Sequence, residues 1–205
     1  MKHFLILFFS FCFLGSFAQK DTAVEVDAKG IKKIYILAEE VFRINLKTSE
    51  TNKITLTSHS EGEYYNDISL DMKVEQEQIT LTSNFPAQLQ NGYDKLSAHK
   101  VFSLEIMLEI PEGLEVYVRS SQASLRGRGN FNYLEAELKS GYCQLTNFTG
   151  NALINTYSGN IEMETSNAVF TALSRNGKVL QSGFSRGDHK IELRSITGDI
   201  SVWEN

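Results

Sequence analysis

The residues best placed to do chemistry in this chain are its carboxylates, the groups that polysaccharide-cleaving enzymes use in pairs. Glu135, Glu137, Glu162 and Glu164 occupy outward positions of a repeat of about 18 residues. Glycoside hydrolysis needs two carboxyl groups about 5–10 Å apart, which in stacked strands means one or two layers. Stacked in sequence order, Glu135 falls between Tyr117 and Leu153, Glu137 between Arg119 and Asn155, Glu162 between Gln144 and Leu180, and Glu164 between Thr146 and Ser182. No two of these acids meet on adjacent layers, and Glu137 beside Arg119 reads as a structural ion pair. The spacing therefore argues against catalysis, and a polysaccharide-active enzyme stands only as an alternative.

Metal and cofactor chemistry find no better footing. His59, His99 and His189 are far apart in sequence with no second ligand at metal spacing. Glu61, Glu63 and Asp67 lack the ligand ladder of a calcium loop and read as a solvated turn. Nucleophile elbows and phosphate loops are absent, so no metal, cofactor or catalytic residue is assigned. Arg126-Gly127-Arg128-Gly129 reads as a solvated corner between coils. Cys143 falls in an inward column and reads as a small buried hydrophobe rather than a reactive thiol.

One outward row suggests binding instead. Lys139, Tyr157 and Arg175 stand at equivalent positions of three repeats. An aromatic ring between two cations gains from cation–π contact, and the same trio could stack a sugar or grip an acidic polymer. The partner expected there is an anionic glycan or an acidic protein segment at the cell surface. A competing location is the long non-periodic stretch Asn84–Lys100, with Phe85 and Tyr93 as its aromatics.

These side chains are positioned by a repeat. Residues 133–150, 151–168, 169–187 and 188–205 each carry a small polar residue followed by glycine near the middle: Ser140-Gly141, Ser158-Gly159, Asn176-Gly177 and Thr197-Gly198. A fixed period of this kind signals a repeat architecture. Before each turn the columns are Leu134/Ala152/Phe170/Ile191, Ala136/Ile154/Ala172/Leu193 and Leu138/Thr156/Ser174/Ser195. After it they are Cys143/Ile161/Val179/Ile200 and Leu145/Met163/Gln181/Val202. Alternation at period two sends each column to one face. The pattern predicts an all-β protein whose residues 113–205 form a right-handed parallel β-solenoid of about five coils, with antiparallel hairpins in two packed sheets as the alternative. Residues 19–112 alternate as strands with an irregular period, reading as less regular coils or a small antiparallel sheet, and are expected to form a β cap over one end of the stack, where an exposed edge would invite aggregation.

Residues 1–18 (MKHFLILFFSFCFLGSFA) join a basic start to an apolar run and small residues at Ser16 and Ala18. This is the pattern of a signal peptide cut between Ala18 and Gln19, and the run is short for a transmembrane span. Cleavage removes Lys2 and takes the net charge from −5 to −6, a balance that argues against nucleic acid as a partner. It also leaves Cys143 alone, so no intramolecular disulfide forms. No transmembrane span is expected in the mature chain, and the expected location is the periplasm or the outer surface.

A strand ending in Ile110-Pro111-Glu112-Gly113-Leu114, the Val116-x-Val118 strand and recurrent turns such as Ser158-Gly159-Asn160-Ile161 resemble the putative adhesin family of bacterial secreted proteins. The resemblance covers roughly residues 30–203, and Ser121-Gln122-Ala123 departs from the turn pattern. It implies a β-solenoid at the cell envelope and supplies no catalytic residues. The function expected is non-enzymatic binding or scaffolding. The alternatives are the enzyme above and an extracytoplasmic sensor module in envelope stress signalling.

Overall fold

The computed structural model describes residues 19–39, 41–62, 69–84, 102–182 and 186–205. The signal-peptide segment, Glu63, Asp67, His99, Phe85 and Tyr93 lie outside the described residues, and so do the readings that rest on them. Strands dominate and no helix occurs among the described residues. In chain order the strands are β1 (Gln19–Asp27), β2 (Lys33–Leu37), β3 (Arg43–Ser49), β4 (Lys53–Gly62), β5 (Ser69–Glu75), β6 (Gln78–Asn84), β7 (Phe102–Pro111) and β8 (Glu115–Ser120). There follow β9 (Ser124–Ser140), β10 (Cys143–Ser158), β11 (Ile161–Thr165), β12 (Ala168–Ser174), β13 (Val179–Gln181), β14 (His189–Thr197) and β15 (Ile200–Glu204). Backbone hydrogen bonds join them into one mixed sheet.

Two columns of parallel strands run through this sheet. One reads β6, β2, β8, β9, β10, β14, β12. The other reads β7, β3, β9, β10, β11, β15, β13. The long strands β9 and β10 serve both, their first halves in one column and their second halves in the other, with register irregularities between. Alternate side chains of both columns point to a shared interior of aliphatic residues that includes Ile34, Ile44, Leu125, Leu134, Ile154 and Ile161, all fully buried. Phe131 and Phe148 stack inside it with ring centroids 5.5 Å apart. Burying such a side chain contributes roughly 1.5–3 kcal/mol, so the repeated column is the main source of stability.

The inward positions follow the sequence columns, but their order along the stack does not. Ile191 pairs with Ala152 on one side and with Phe170 on the other, and Leu193 lies between Ile154 and Ala172. The last repeat, β14–β15, is therefore inserted between β10–β11 and β12–β13, which come earlier in the chain. The interior explains the choice. Ile191, Leu193, Ile200 and Val202 are buried, whereas β12 and β13 place Phe170, Ala172, Val179 and Gln181 at the matching positions, with Ala172 and Gln181 less apolar than Leu193 and Val202. The more apolar repeat takes the covered layer, and the poorer one takes the end.

The parallel columns continue past Gly113 into the N-terminal half, where β2, β3, β6 and β7 add layers on the same registers. Antiparallel strands then flank that end: β4 on β7, β1 on β4, and β5 on β6. At the opposite end, among the described residues, β12 pairs only with β14 and β13 only with β15.

The antiparallel end carries a titrating contact. His59 on β4 holds Asp21 of β1 through Nδ1 and Glu61 through Nε2, at 2.5 and 2.8 Å. The hydrogen bonds to Glu61 and Asp21 push its pKa up to about 9 from an ordinary 6.5. A folded-state pKa above the unfolded one contributes stability that is fully present below pH 6.5 and is lost as pH rises through about 9. His59→Gln is therefore expected to lower the melting temperature by a small amount at pH 6 and to leave it unchanged at pH 10. Thermal melts at the two pH values check this; an equal gap at both would show that the ionic contact is idle.

Candidate functional site

Outward positions of the first column form rows that run across the strands. One row is Leu37, Arg119, Glu137, Asn155, Arg194, Leu173. The neighbouring row holds Lys139 on β9, Tyr157 on β10 and Ile196 on β14, then Arg175 just beyond β12. Between the two rows lies a groove of about 660 Å³. Lys139, Tyr157 and Arg175 all line it, so the structure brings the three expected binding residues to one depression. They are not three consecutive steps, because Ile196 stands between Tyr157 and Arg175.

Charge in the groove is uneven. Arg119 Nε donates to Glu137 Oε2 at 2.8 Å, and Arg194 is held by Glu192 at 2.9 Å. Both pairs are solvent-exposed and of the kind that contributes about 0–1 kcal/mol. The side chains of Lys139 and Arg175 form no hydrogen bond or ion pair within the described residues, and neither does the Tyr157 hydroxyl. Tyr157 is 59% exposed. The groove therefore presents an accessible ring between two uncommitted cations.

Beside it runs an aromatic ladder that sequence periodicity missed. Tyr35 and Tyr117 stack with centroids 4.8 Å apart and ring planes 12° apart, and Tyr133 packs against Tyr117 at 5.8 Å. The Tyr117 hydroxyl donates to Glu115 and the Tyr133 hydroxyl to Glu135, at 2.8 and 3.0 Å. The bond from Tyr117 holds the Glu115 carboxyl below the usual range. Burial, then the bond to Glu135, pushes Tyr133 up to about 12. These hydroxyls remain protonated donors, and Glu115 and Glu135 are committed to holding them.

The remaining carboxylates are placed differently from the sequence-order register. Glu137 does lie between Arg119 and Asn155, as the repeat implies. Glu162 lies between Gln144 and Ser201, with Gln144 Nε2 donating to it at 3.1 Å. Glu164 pairs with Trp203 and accepts from the Asn147 backbone N–H. Among the described residues no group of three His, Cys, Asp or Glu side chains is arranged to hold a metal ion.

Arg126-Gly127-Arg128-Gly129 is not a corner. It lies within β9, with Arg126 opposite Asn45 and Arg128 opposite Lys47 on β3. Gly127 faces inward, where an added Cβ would lie 2.6 Å from Leu145 Cδ2, so glycine there makes room for its neighbour in the column. Arg126 packs over the Tyr142 ring at 5.5 Å. Cys143 is fully buried beside Leu125 and Ile161. Burial pushes its thiol up to about 12, which keeps it protonated and inert.

Solved structures locate this architecture among known folds. A putative cell adhesion protein from Clostridium sporogenes ATCC 15579 superposes with a TM-score of 0.67, at 15% identity, over 91% of this chain and 100% of its own. This chain shares the backbone fold of that protein. A putative adhesin from Bacteroides fragilis NCTC 9343 matches at 12% identity over 91% of this chain and 97% of its own, with a TM-score of 0.43. No family model matches the chain, and no match is found among curated proteins. The likeness to the Clostridium sporogenes protein is one of backbone architecture. Among the described residues no helix is long and apolar enough to cross a membrane.

Proposed function

We propose that this chain is an exported, non-enzymatic binding domain of the bacterial cell envelope, which takes an anionic envelope component in the groove bearing Lys139, Tyr157 and Arg175. The observation that carries the reading is the pair of cations without partners on either side of an exposed tyrosine. Solenoid proteins use such rows on successive coils as binding surfaces. In this reading residues 1–18 are a signal peptide cleaved near Ala18, and the mature chain works in the periplasm or at the outer surface. In the same reading the chain is a right-handed parallel β-solenoid, and the antiparallel strands β1, β4 and β5 cover its N-terminal end. Parallel register in both columns supports the solenoid, and the strong right-handed preference of parallel crossovers supports the hand.

The test uses purified mature protein against a panel of anionic glycans and other acidic envelope components. Tyr157→Ala is expected to weaken binding about tenfold or more while moving the melting temperature by only a few degrees, as for an exposed residue. A Tyr157→Ala protein that melts early yet keeps its affinity would make the row structural and place binding elsewhere.

A further inference from the structure

The exchange of the last two repeats changes what the groove can hold. Had the coils stacked in sequence order, Arg175 would follow Tyr157 directly, giving a polar row suited to a hydrated ligand. Inserting β14 puts Ile196 between them and sets Leu173 beside Arg194 in the neighbouring row. Leu173 is 64% exposed and Ile196 38% exposed, and both line the same groove as Tyr157. Aliphatic side chains exposed together inside a concavity are a feature of ligand sites rather than of ordinary surface. A sugar would use the tyrosine but would leave its hydroxyls against Leu173 and Ile196 without partners.

We infer that the groove binds an anionic amphiphile: a single unbranched apolar chain laid over Tyr157, Ile196 and Leu173, with its acidic head on one of the two flanking cations, Lys139 or Arg175. Charge complementarity sets the sign of the head. Among the described lining residues Arg119, Lys139, Arg175 and Arg194 outnumber Glu39 and Glu137, Glu137 is paired with Arg119, and Lys139 and Arg175 form no ion pair with any described residue. Tyr157 and Ile196 are neighbours in one row, about 4.8 Å apart, and Leu173 lies diagonally across from Ile196 in the next, so the three form a short apolar track flanked by Lys139 and Arg175. The ligand class rests on the groove being the binding site, as proposed above, and narrows it.

The experiment is calorimetric titration of the mature full chain with laurate below its micellar concentration, with butyrate, with heparin and with phosphatidylglycerol vesicles. Laurate is expected to bind at least about a hundredfold more tightly than butyrate, since each buried methylene adds to affinity. Leu173→Gln and Ile196→Gln are each expected to weaken laurate about tenfold without lowering the melting temperature. Lys139→Gln with Arg175→Gln is expected to weaken it further. Heparin binding through Lys139 and Arg175 with no laurate binding would overturn the amphiphile and leave the groove reading standing. Failure of laurate, heparin and the wider anionic panel to bind would overturn both. Laurate affinity unmoved by all four substitutions would overturn the assignment of the groove, and binding to vesicles alone would overturn the single-molecule ligand in favour of a membrane surface.

Discussion

Ile154→Asp is expected to unfold the protein or to lower its melting temperature by at least about 12 °C. Ile154 is fully buried in the β10 layer, between Ala136 of β9 and Leu193 of β14, so a carboxylate there has no water and no cation within the column. Stripping its charge at pH 7 means protonating it about three pH units above its ordinary pKa, which costs about 4 kcal/mol. Losing the isoleucine from the interior costs about 2 kcal/mol more. Together these rival the whole stability of an ordinary domain, about 5–15 kcal/mol, and for a chain of this size convert to a large fall in melting temperature. Asn160→Asp is the matched control. Asn160 is exposed and its Oδ1 accepts from the Asp199 backbone N–H at 2.9 Å; aspartate keeps that acceptor, so the change should stay within about 0.5 kcal/mol. Circular dichroism melts of the two variants decide the matter, and an Ile154→Asp protein that melts with the parent would remove the column from the account.

The columns were legible in the sequence because two periods agree. Alternation at two residues assigns Ala136, Ile154 and Leu193 to the interior, and the spacing of about 18 residues assigns them to one level of successive coils. The order of the coils was not legible for the same reason. Each repeat presents the same apolar face, so like stacks on like whichever repeat comes next, and only the relative apolarity of the inner residues decides. Leu193 and Val202 outbid Ala172 and Gln181 for the covered layer. The N-terminal layers were hidden differently: β3 to β7 intervene between β2 and β8, so no fixed period links Tyr35 to Tyr117 although their rings stack.

The same ambiguity limited the reading of the site. The spacing alone gathers Lys139, Tyr157 and Arg175 on one face, and the structure places all three around one groove. It could not supply Ile196 and Leu173 as neighbours, because their positions depend on the exchanged order. Arg126 and Arg128 were misplaced because glycine ordinarily marks a turn, whereas Gly127 serves packing against Leu145.

Gly159→Ala is expected to destabilise the protein by at least about 3 kcal/mol, well beyond Gly113→Ala. At the turns the coils approach through their glycines. A Cβ on Gly159 would lie 1.9 Å from the Gly141 carbonyl oxygen, and one on Gly198 would lie 2.2 Å from the Gly159 oxygen. The obstructing atoms are backbone, held in place by layer-to-layer hydrogen bonds from Gly141 N–H to Ser158 O at 3.1 Å and from Gly159 N–H to Thr197 O at 2.9 Å. A methyl group can be fitted only by prising layers apart, which gives up these bonds at about 1 kcal/mol each and loosens the packed interior beside them. Gly113 separates the two causes of glycine preference. Its φ is +77° but an added Cβ meets nothing within 4 Å, so alanine there costs only the left-handed backbone, about 1–2 kcal/mol. Denaturant titration of both variants should show the Gly159 change costing at least about twice as much as the Gly113 change. Equal costs would mean that the turns stand apart and that backbone conformation alone, not close approach of the layers, demands glycine at position 159.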